Sequence, residues 1–252
     1  EVLIACSNDY LGLAWETRVR GRGAGSSRLI SGTRPTHVTL EKVLEEWLGR
    51  PALFFPSGFH ANLAVFSTVC TAGQTVASDA LNHASIIDGL RLSKAEKLVV
   101  PHADPDVIPA DVDLIAIEGL YSMDGDLPDL PAYPTAPWLM VDEAHAIGCM
   151  GPDGRGVAAS QGITPDILVG TFGKALGAAG AFVCGPPELR ELLINAGRGF
   201  IFSTGMPESV PHRVLAALDH LDRHGDALRE RLATNARRLR QGLHQLGWAP
   251  LG

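Results

Sequence analysis

The stretch Leu168-Val169-Gly170-Thr171-Phe172-Gly173-Lys174-Ala175-Leu176-Gly177 decides how this chain is read. A short apolar run, the pattern of a buried strand, delivers a threonine and, three positions on, a lysine punctuated by glycines. The charge of a lysine is costly to bury, and small neighbours give it little cover. Glycines supply room instead, so a flat ligand can reach backbone and amine together. This stretch alone leaves two readings open: a surface-loop lysine, and a Schiff-base lysine holding an aldehyde cofactor.

Outward from that lysine the chain alternates in type. Residues 36–48 carry Leu40, Val43, Leu44, Trp47 and Leu48 at helical spacing, with Glu41, Lys42, Glu45 and Glu46 on the water-facing side. Residues 52–55 read as a buried strand, 59–69 as a helix, 75–78 as a strand and 83–92 as a helix. Further strands are expected at 97–100, 113–117, 138–141, 166–170 and 180–184, and the chain turns helical after Pro186. Continuous apolar strands interleaved with helices imply an α/β fold with a mainly parallel sheet covered on both faces. Residues 1–6 read as a strand and 7–12 as a polar turn. The segment 21–32, GRGAGSSRLISG, is either a flexible loop or backbone wrapping something closely, and it does not spell the dinucleotide fingerprint. A long charged helical stretch, 208–246, is expected to break near His224-Gly225.

Composition narrows the function classes. Hydrophobic residues make up 46% of the 252 and charged ones 19%, which describes a globular chain with a sizeable core. A net charge of −7 without a basic cluster argues against nucleic acid, and no apolar run reaches a membrane span. No signal-peptide pattern opens the chain, and Cys6, Cys70, Cys149 and Cys184 show neither CxxC nor metal spacing. A cytoplasmic protein with reduced thiols and no metal is the expectation.

Three further segments bear on Lys174. Pro56-Ser57-Gly58-Phe59 joins a strand to a helix, where free N–H groups suit a phosphate, although Ser57 also fits an ordinary helix cap. Asp142-Glu143-Ala144-His145 ends an apolar strand, so Asp142 emerges at the carboxyl edge of the sheet, able to pair with a protonated pyridine nitrogen, with His145 near the ring's phenolic oxygen. A helicase reading of this segment fails because no GxxxxGK[ST] loop exists. His83 stands at a helix start just after a strand, either as a cap or as a ring stacked on a flat cofactor. A lysine, a ring-nitrogen acid, a phosphate turn and a stacking histidine, all at sheet edges, have one economical common explanation in pyridoxal 5′-phosphate (PLP).

The stretches SNDYLGL (7–13), ISGT (30–33), THVTLE (36–41), SGFHAN (57–62), DALNHASIIDGLRLS (79–93), EGLYSMDGD (118–126), VDEAHAIG (141–148), TFGKALG (171–177) and FIFSTGMP (200–207) run in order over nearly the whole chain. In wording and order they resemble the α-oxoamine synthases, PLP enzymes of fold type I. The resemblance implies a mainly parallel seven-stranded sheet flanked by helices, with the small C-terminal domain largely missing after Gly252 and a segment missing before Glu1. It divides the chain into an N-terminal arm and glycine-rich loop (1–35), a large PLP-binding domain (36–207), and an interdomain helix leading into a truncated small domain (208–252). Lys174 would carry the cofactor and act as base, Asp142 would pair with the ring nitrogen, and His83 would stack on the ring and face the substrate. Ser57, Gly58, Phe59, Glu118, Ser122, His145 and Thr171 would complete the cofactor site. Ser203 and Thr204 would reach the phosphate of the neighbouring subunit in a homodimer with shared sites, and Asn8 would hold the substrate carboxylate. The implied partners are an L-amino acid, alanine favoured, and an acyl-CoA or acyl carrier protein thioester. Condensation with loss of carbon dioxide is the implied reaction. A relative that takes another amino acid and acyl donor, such as glycine with acetyl-CoA or serine with a palmitoyl thioester, a plain aminotransferase and a noncatalytic partner subunit stay open beside it. His60 stands where the family more usually has a small residue.

Overall fold

A computed structural model describes residues 10, 11 and 23–251. The expected strand at 1–6, most of the turn at 7–12 and Asn8 lie outside the described residues. Helix α1 (Pro35–Leu48) begins on a proline, whose missing N–H costs nothing in a first turn, and ends at Gly49 with φ 76°, a left-handed stop that suits glycine. Strand β1 (Ala52–Phe55) leads into α2 (Gly58–Val69), β2 (Thr75–Asp79), α3 (Ala84–Leu92), β3 (Glu96–Val100), β4 (Leu114–Glu118) and β5 (Trp138–Asp142). A short α4 (Val157–Ser160) precedes β6 (Ile167–Thr171) and β7 (Ala181–Cys184), and the chain finishes in α5 (Pro187–Ala196), α6 (Arg198–Ile201) and α7 (Ser209–Gln245).

The seven strands form one sheet in the order β1-β7-β6-β5-β4-β2-β3. Only β7 runs against its neighbours, antiparallel to both β1 and β6, and the rest pair in parallel. The expected mainly parallel, seven-stranded α/β sheet is therefore present. Every residue of β1, β4 and β7 is buried, because helices and loops cover both faces. Gly170 in β6 is required by packing: a Cβ there would stand 2.4 Å from the Phe182 ring.

Register places the site. Glu118 pairs with Asp142 across β4 and β5, Asp142 with Val169 across β5 and β6, and Thr171 ends β6 opposite Ala181. Acidic and hydroxyl residues thus close adjacent parallel strands at the carboxyl edge of the sheet, where an open α/β sheet binds its ligands.

Three expectations change. Glu41 does not face water: it is buried, pairs with Arg28 and accepts the Phe54 amide at 2.9 Å. Residues 28–32, within the segment read as a flexible loop or wrapping backbone, form one π-helical turn, Arg28–Gly32, in which Gly32 lies against the Ser26 carbonyl. Helix α7 runs unbroken through Gly225, because that glycine makes space where a helix-breaker was expected. A Cβ at 225 would meet the Arg229 guanidinium at 2.7 Å, and Arg229 in turn is held by Asp226 at 2.7 Å.

Candidate active site

Lys174 follows β6 in the glycine-punctuated turn, half-buried, and its amine makes no hydrogen bond or ion pair among the described residues. Burial holds its pKa below the ordinary lysine value, while the nearby carboxylates of Asp142 and Glu118 oppose that shift. A half-buried amine facing two acids without bonding either is an uncommitted nucleophile.

Asp142 is buried at the end of β5, and its carboxylate is aimed by two donors, Asn62 Nδ2 at 2.8 Å and the Ala144 amide at 3.0 Å. The same Asn62 Nδ2 donates to Ser85 Oγ at 2.8 Å, and Ser85 Oγ lies 2.7 Å from His83 Nδ1. A chain of hydrogen bonds therefore joins Asp142 on β5 to the histidine that caps α3, passing through α2. Ser85 Oγ accepts from Asn62 and so has its own proton for His83 Nδ1, which also accepts the Ser85 amide at 3.2 Å. Such a ring carries its proton on Nε2. The rest of His83 is exposed, and its backbone amide donates to Glu118 Oε1. His83 is thus both the helix cap and a ring presented to the site.

Glu118 is buried beside Asp142, and burial, followed by that second carboxylate, pushes its pKa up to about 8. His145 is pushed down to about 4 by burial, then by Lys174 and His83, so at neutral pH its ring is uncharged. Tyr10 OH stands 2.8 Å from His145 Nδ1, and burial raises the Tyr10 pKa, keeping the phenol protonated.

Ser57 caps α2, accepting the His60 amide at 3.3 Å and contacting His60 Nδ1 at 2.8 Å. The amides of Gly58 and Phe59 in that first turn carry no partner among the described residues, and a Cβ on Gly58 would meet open space. Thr171 donates its hydroxyl to the Gly180 carbonyl at 3.0 Å, bracing the lysine turn. Ser122 is exposed in the loop after β4. Ser203 and Thr204 are not brought to this group; they line a narrow cleft with Pro56 and Phe200, and Thr204 bridges to Ser27.

A larger cavity of about 950 Å³ lies away from the site, where α1 and α7 meet the loop at 153–155. Its charged walls are mostly occupied with one another, as in Arg155–Asp153 and Arg229–Asp226. Tyr10 and Asn62 escape the sequence reading although both lie inside quoted motifs, since nothing in spacing tells which polar residue of a motif turns inward.

These groups fit a phosphorylated pyridine aldehyde: an uncommitted amine, an anchored acid, an exposed imidazole and two unpartnered helix-start amides. Comparison with known proteins points the same way. The family described as aminotransferase class I and II matches residues 1–252. The chain belongs to that family and, within it, to the α-oxoamine synthases. It is 42% identical over 279 residues to 8-amino-7-oxononanoate synthase of Geobacter sulfurreducens, covering 100% of this chain and 71% of that protein. Against the enzyme of the same name from Pseudomonas putida it is 40% identical over 271 residues, covering 98% and 69%. Among solved structures, serine palmitoyltransferase from S. paucimobilis, with PLP and myriocin bound, superposes with a TM-score of 0.89 at 32% identity, covering 96% of this chain and 69% of that one. The 8-amino-7-oxononanoate synthase of Francisella tularensis gives 0.85 at 29%, covering 98% and 77%.

Proposed function

We propose that this chain is a PLP-dependent acyltransferase that condenses L-alanine with a pimeloyl thioester, giving 8-amino-7-oxononanoate, carbon dioxide and the free thiol carrier, a step of biotin biosynthesis. The names of its relatives support the product. The observation that carries the chemistry is Lys174, an unbonded amine in the field of two buried acids. Held covalently by Lys174, PLP would supply a ring able to take up the charge left at Cα of the amino acid.

The chain's own residues would do the rest. The Gly58 and Phe59 amides, at the positive end of α2, would bind the phosphate together with Ser57, with Thr171 keeping the lysine turn in place. Asp142, fixed by Asn62 and the Ala144 amide, would hold a proton at the pyridine nitrogen. By donating to His145 Nδ1, Tyr10 would leave that ring's proton on Nε2, to be given to the phenolic oxygen. Lys174, kept below its ordinary pKa by burial, would take the Cα proton in its neutral form. His83 would lie against the ring, its Nε2–H turned to the carbonyl oxygen of the thioester. Glu118 would hold the His83 turn, and Ser122 would flank the cofactor. Asn8 would hold the alanine carboxylate, and in a homodimer Ser203 and Thr204 would reach the phosphate of the other subunit. Residues 36–207 would form the catalytic domain, with 1–35 as its arm and 208–252 leading toward a smaller domain. Among the described residues no helix is long and apolar enough to cross a membrane, which agrees with thioester and amino acid taken from water.

Absorbance tests this directly. Protein reconstituted with PLP should show a near-visible band that changes with L-alanine and not with glycine or L-serine. A response to serine or glycine instead would move the assignment to another α-oxoamine synthase, in line with the serine palmitoyltransferase likeness. Colourless protein that resists borohydride trapping at Lys174 would sink the cofactor assignment itself.

A further inference from the structure

Two of the motif stretches meet at a side chain that the proposed chemistry leaves unused. His102, in the loop after β3, has Nδ1 at 2.9 and 3.1 Å from the two carboxylate oxygens of Asp79 and Nε2 at 2.7 Å from Asp126 Oδ2. Asp79 ends β2 with a side chain only 1% exposed, and Asp126 lies in the loop after β4. Asp79 also accepts the amides of Leu81, at 2.8 Å in the turn that leads to His83, and of Ala103, at 2.9 Å. Ala103 is held at φ 51°, a left-handed conformation that persists only where its surroundings fix it. From the β4 loop, Tyr121 packs edge-on against the His102 ring at 4.4 Å, and its amide donates to the Asp126 carbonyl at 3.1 Å.

An imidazole between two carboxylates can donate to both only with a proton on each nitrogen. The groups facing it are acidic, Asp79 from β2 and Asp124 and Asp126 from the β4 loop, and Asp104 on its own loop lies in the field of Tyr133. Tyr121 and Tyr133, from the segment before β5, are raised by burial and stay neutral, Tyr133 at about 12. Burial by itself would lower the His102 pKa, but the bonds to Asp79 and Asp126 and their charge outweigh it and raise the value. Although His102, Asp124 and Asp126 bring ligand atoms within 4.8 Å of one another, each ring nitrogen already faces a carboxylate at hydrogen-bond distance. That spacing suits a shared proton and leaves no room for an ion between the pair.

We propose that His102, bridging Asp79 and Asp126 through both ring nitrogens, is a positioning residue that ties the turn carrying His83 to the loop carrying Ser122 and so sets the wall of the PLP site. The assignment rests on the PLP reading of that site. Because the folded-state pKa is raised, the bridge is complete below the ordinary histidine value and is lost as pH climbs through the raised one. Loss begins at Asp126, whose side chain is 35% exposed, while the Asp79 contact is buried.

Ring-labelled histidine NMR on the 252-residue chain, with the His102 signals assigned by their loss in His102→Gln, tests the proton count without the cofactor. Both nitrogens should be protonated at pH 6, below the ordinary histidine value, with a transition above that value. In parallel, the dissociation constant for PLP is read from its near-visible band across pH. It should rise in the same range as the ring titrates, and His102→Gln should weaken binding about tenfold at pH 6, the loss of one charge-assisted hydrogen bond. Asp126→Asn, at the more exposed end of the bridge, should lower the ring pKa yet flatten the alkaline rise, since an amide can pair with a neutral ring. A His102 ring that titrates at the ordinary value, or a PLP profile identical in wild type and Asp126→Asn, overturns the proposal. Failure of the wild type to develop a band at any pH strikes the cofactor assignment alone, because the ring titration is read without PLP.

Discussion

Among the described residues, Arg28 and Lys174 are both drawn away from water, and they are treated in opposite ways. Arg28, in the π turn before α1, is bonded through Nη1 to Glu41 and to the Phe54 carbonyl at 3.2 Å, and its guanidinium lies 5.1 Å from the centre of the Phe200 ring. Glu41 answers with the Phe54 amide and a second arginine, Arg190, at 3.6 Å. Lys174 sits with two buried acids in its field and bonds to neither. A buried charge with its partners in place holds a fold in register, while one left without them is available for chemistry. The difference between the two places is what separates scaffold from site here.

The hardest test of that contrast is Lys174→Ala. It should remove borohydride-trappable PLP and lower turnover by roughly 10³-fold or more, the scale of losing a positioned base, while thermal unfolding stays close to wild type. A variant that keeps its rate would put the chemistry elsewhere. Asp142→Asn comes next. It should cost about 10²–10³ in turnover, as expected when a preorganised charge is neutralised, yet leave Lys174 open to trapping.

On the scaffold side, Arg28→Met should cost about 3 kcal/mol by taking from buried Glu41 its close cationic partner and leaving it only the Phe54 amide and the more distant Arg190, and the double variant Arg28→Met/Glu41→Leu should recover most of it. Chemical denaturation of the three proteins measures this, and the PLP band of the folded fraction should not move. If the band shifts with Arg28, scaffold and site are not separable in this way. A further test concerns pH. Glu118 is raised to about 8 by burial and then by Asp142, so between about 4.5 and 8 the folded protein binds protons that the unfolded chain has lost. Its contribution to stability therefore declines as pH rises through that window. Glu118→Gln should flatten the decline in cofactor-free protein, and a variant whose stability falls with pH as steeply as wild type would count against the buried acid pair.

Much of this was legible beforehand. The strands announced themselves as short apolar runs, and a run that ends in Asp142 or Thr171 must set that residue at the edge of a parallel sheet. Glu41 shows where such reading stops. Its helical position is next to Leu40 and the spacing assigns it to water, but Arg28, 13 residues earlier, folds back to meet it. Gly225 misled for a related reason: a glycine inside a helix signals weakness, whereas here it clears space for Arg229.

The amino-acid sequence by itself determined the alternation of strands and helices, the parallel sheet, and Lys174, Asp142, His83 and His145 as the residues to watch. Those follow from periodicity and from motif wording, which are local properties. Only the tertiary structure decided that Asn62 and Ser85 link Asp142 to His83, that Tyr10 stands on His145, and that His102 lies between Asp79 and Asp126. Each of those contacts joins different strands, helices or loops, and a hydrogen bond between them depends on directions and distances that no spacing along the chain records.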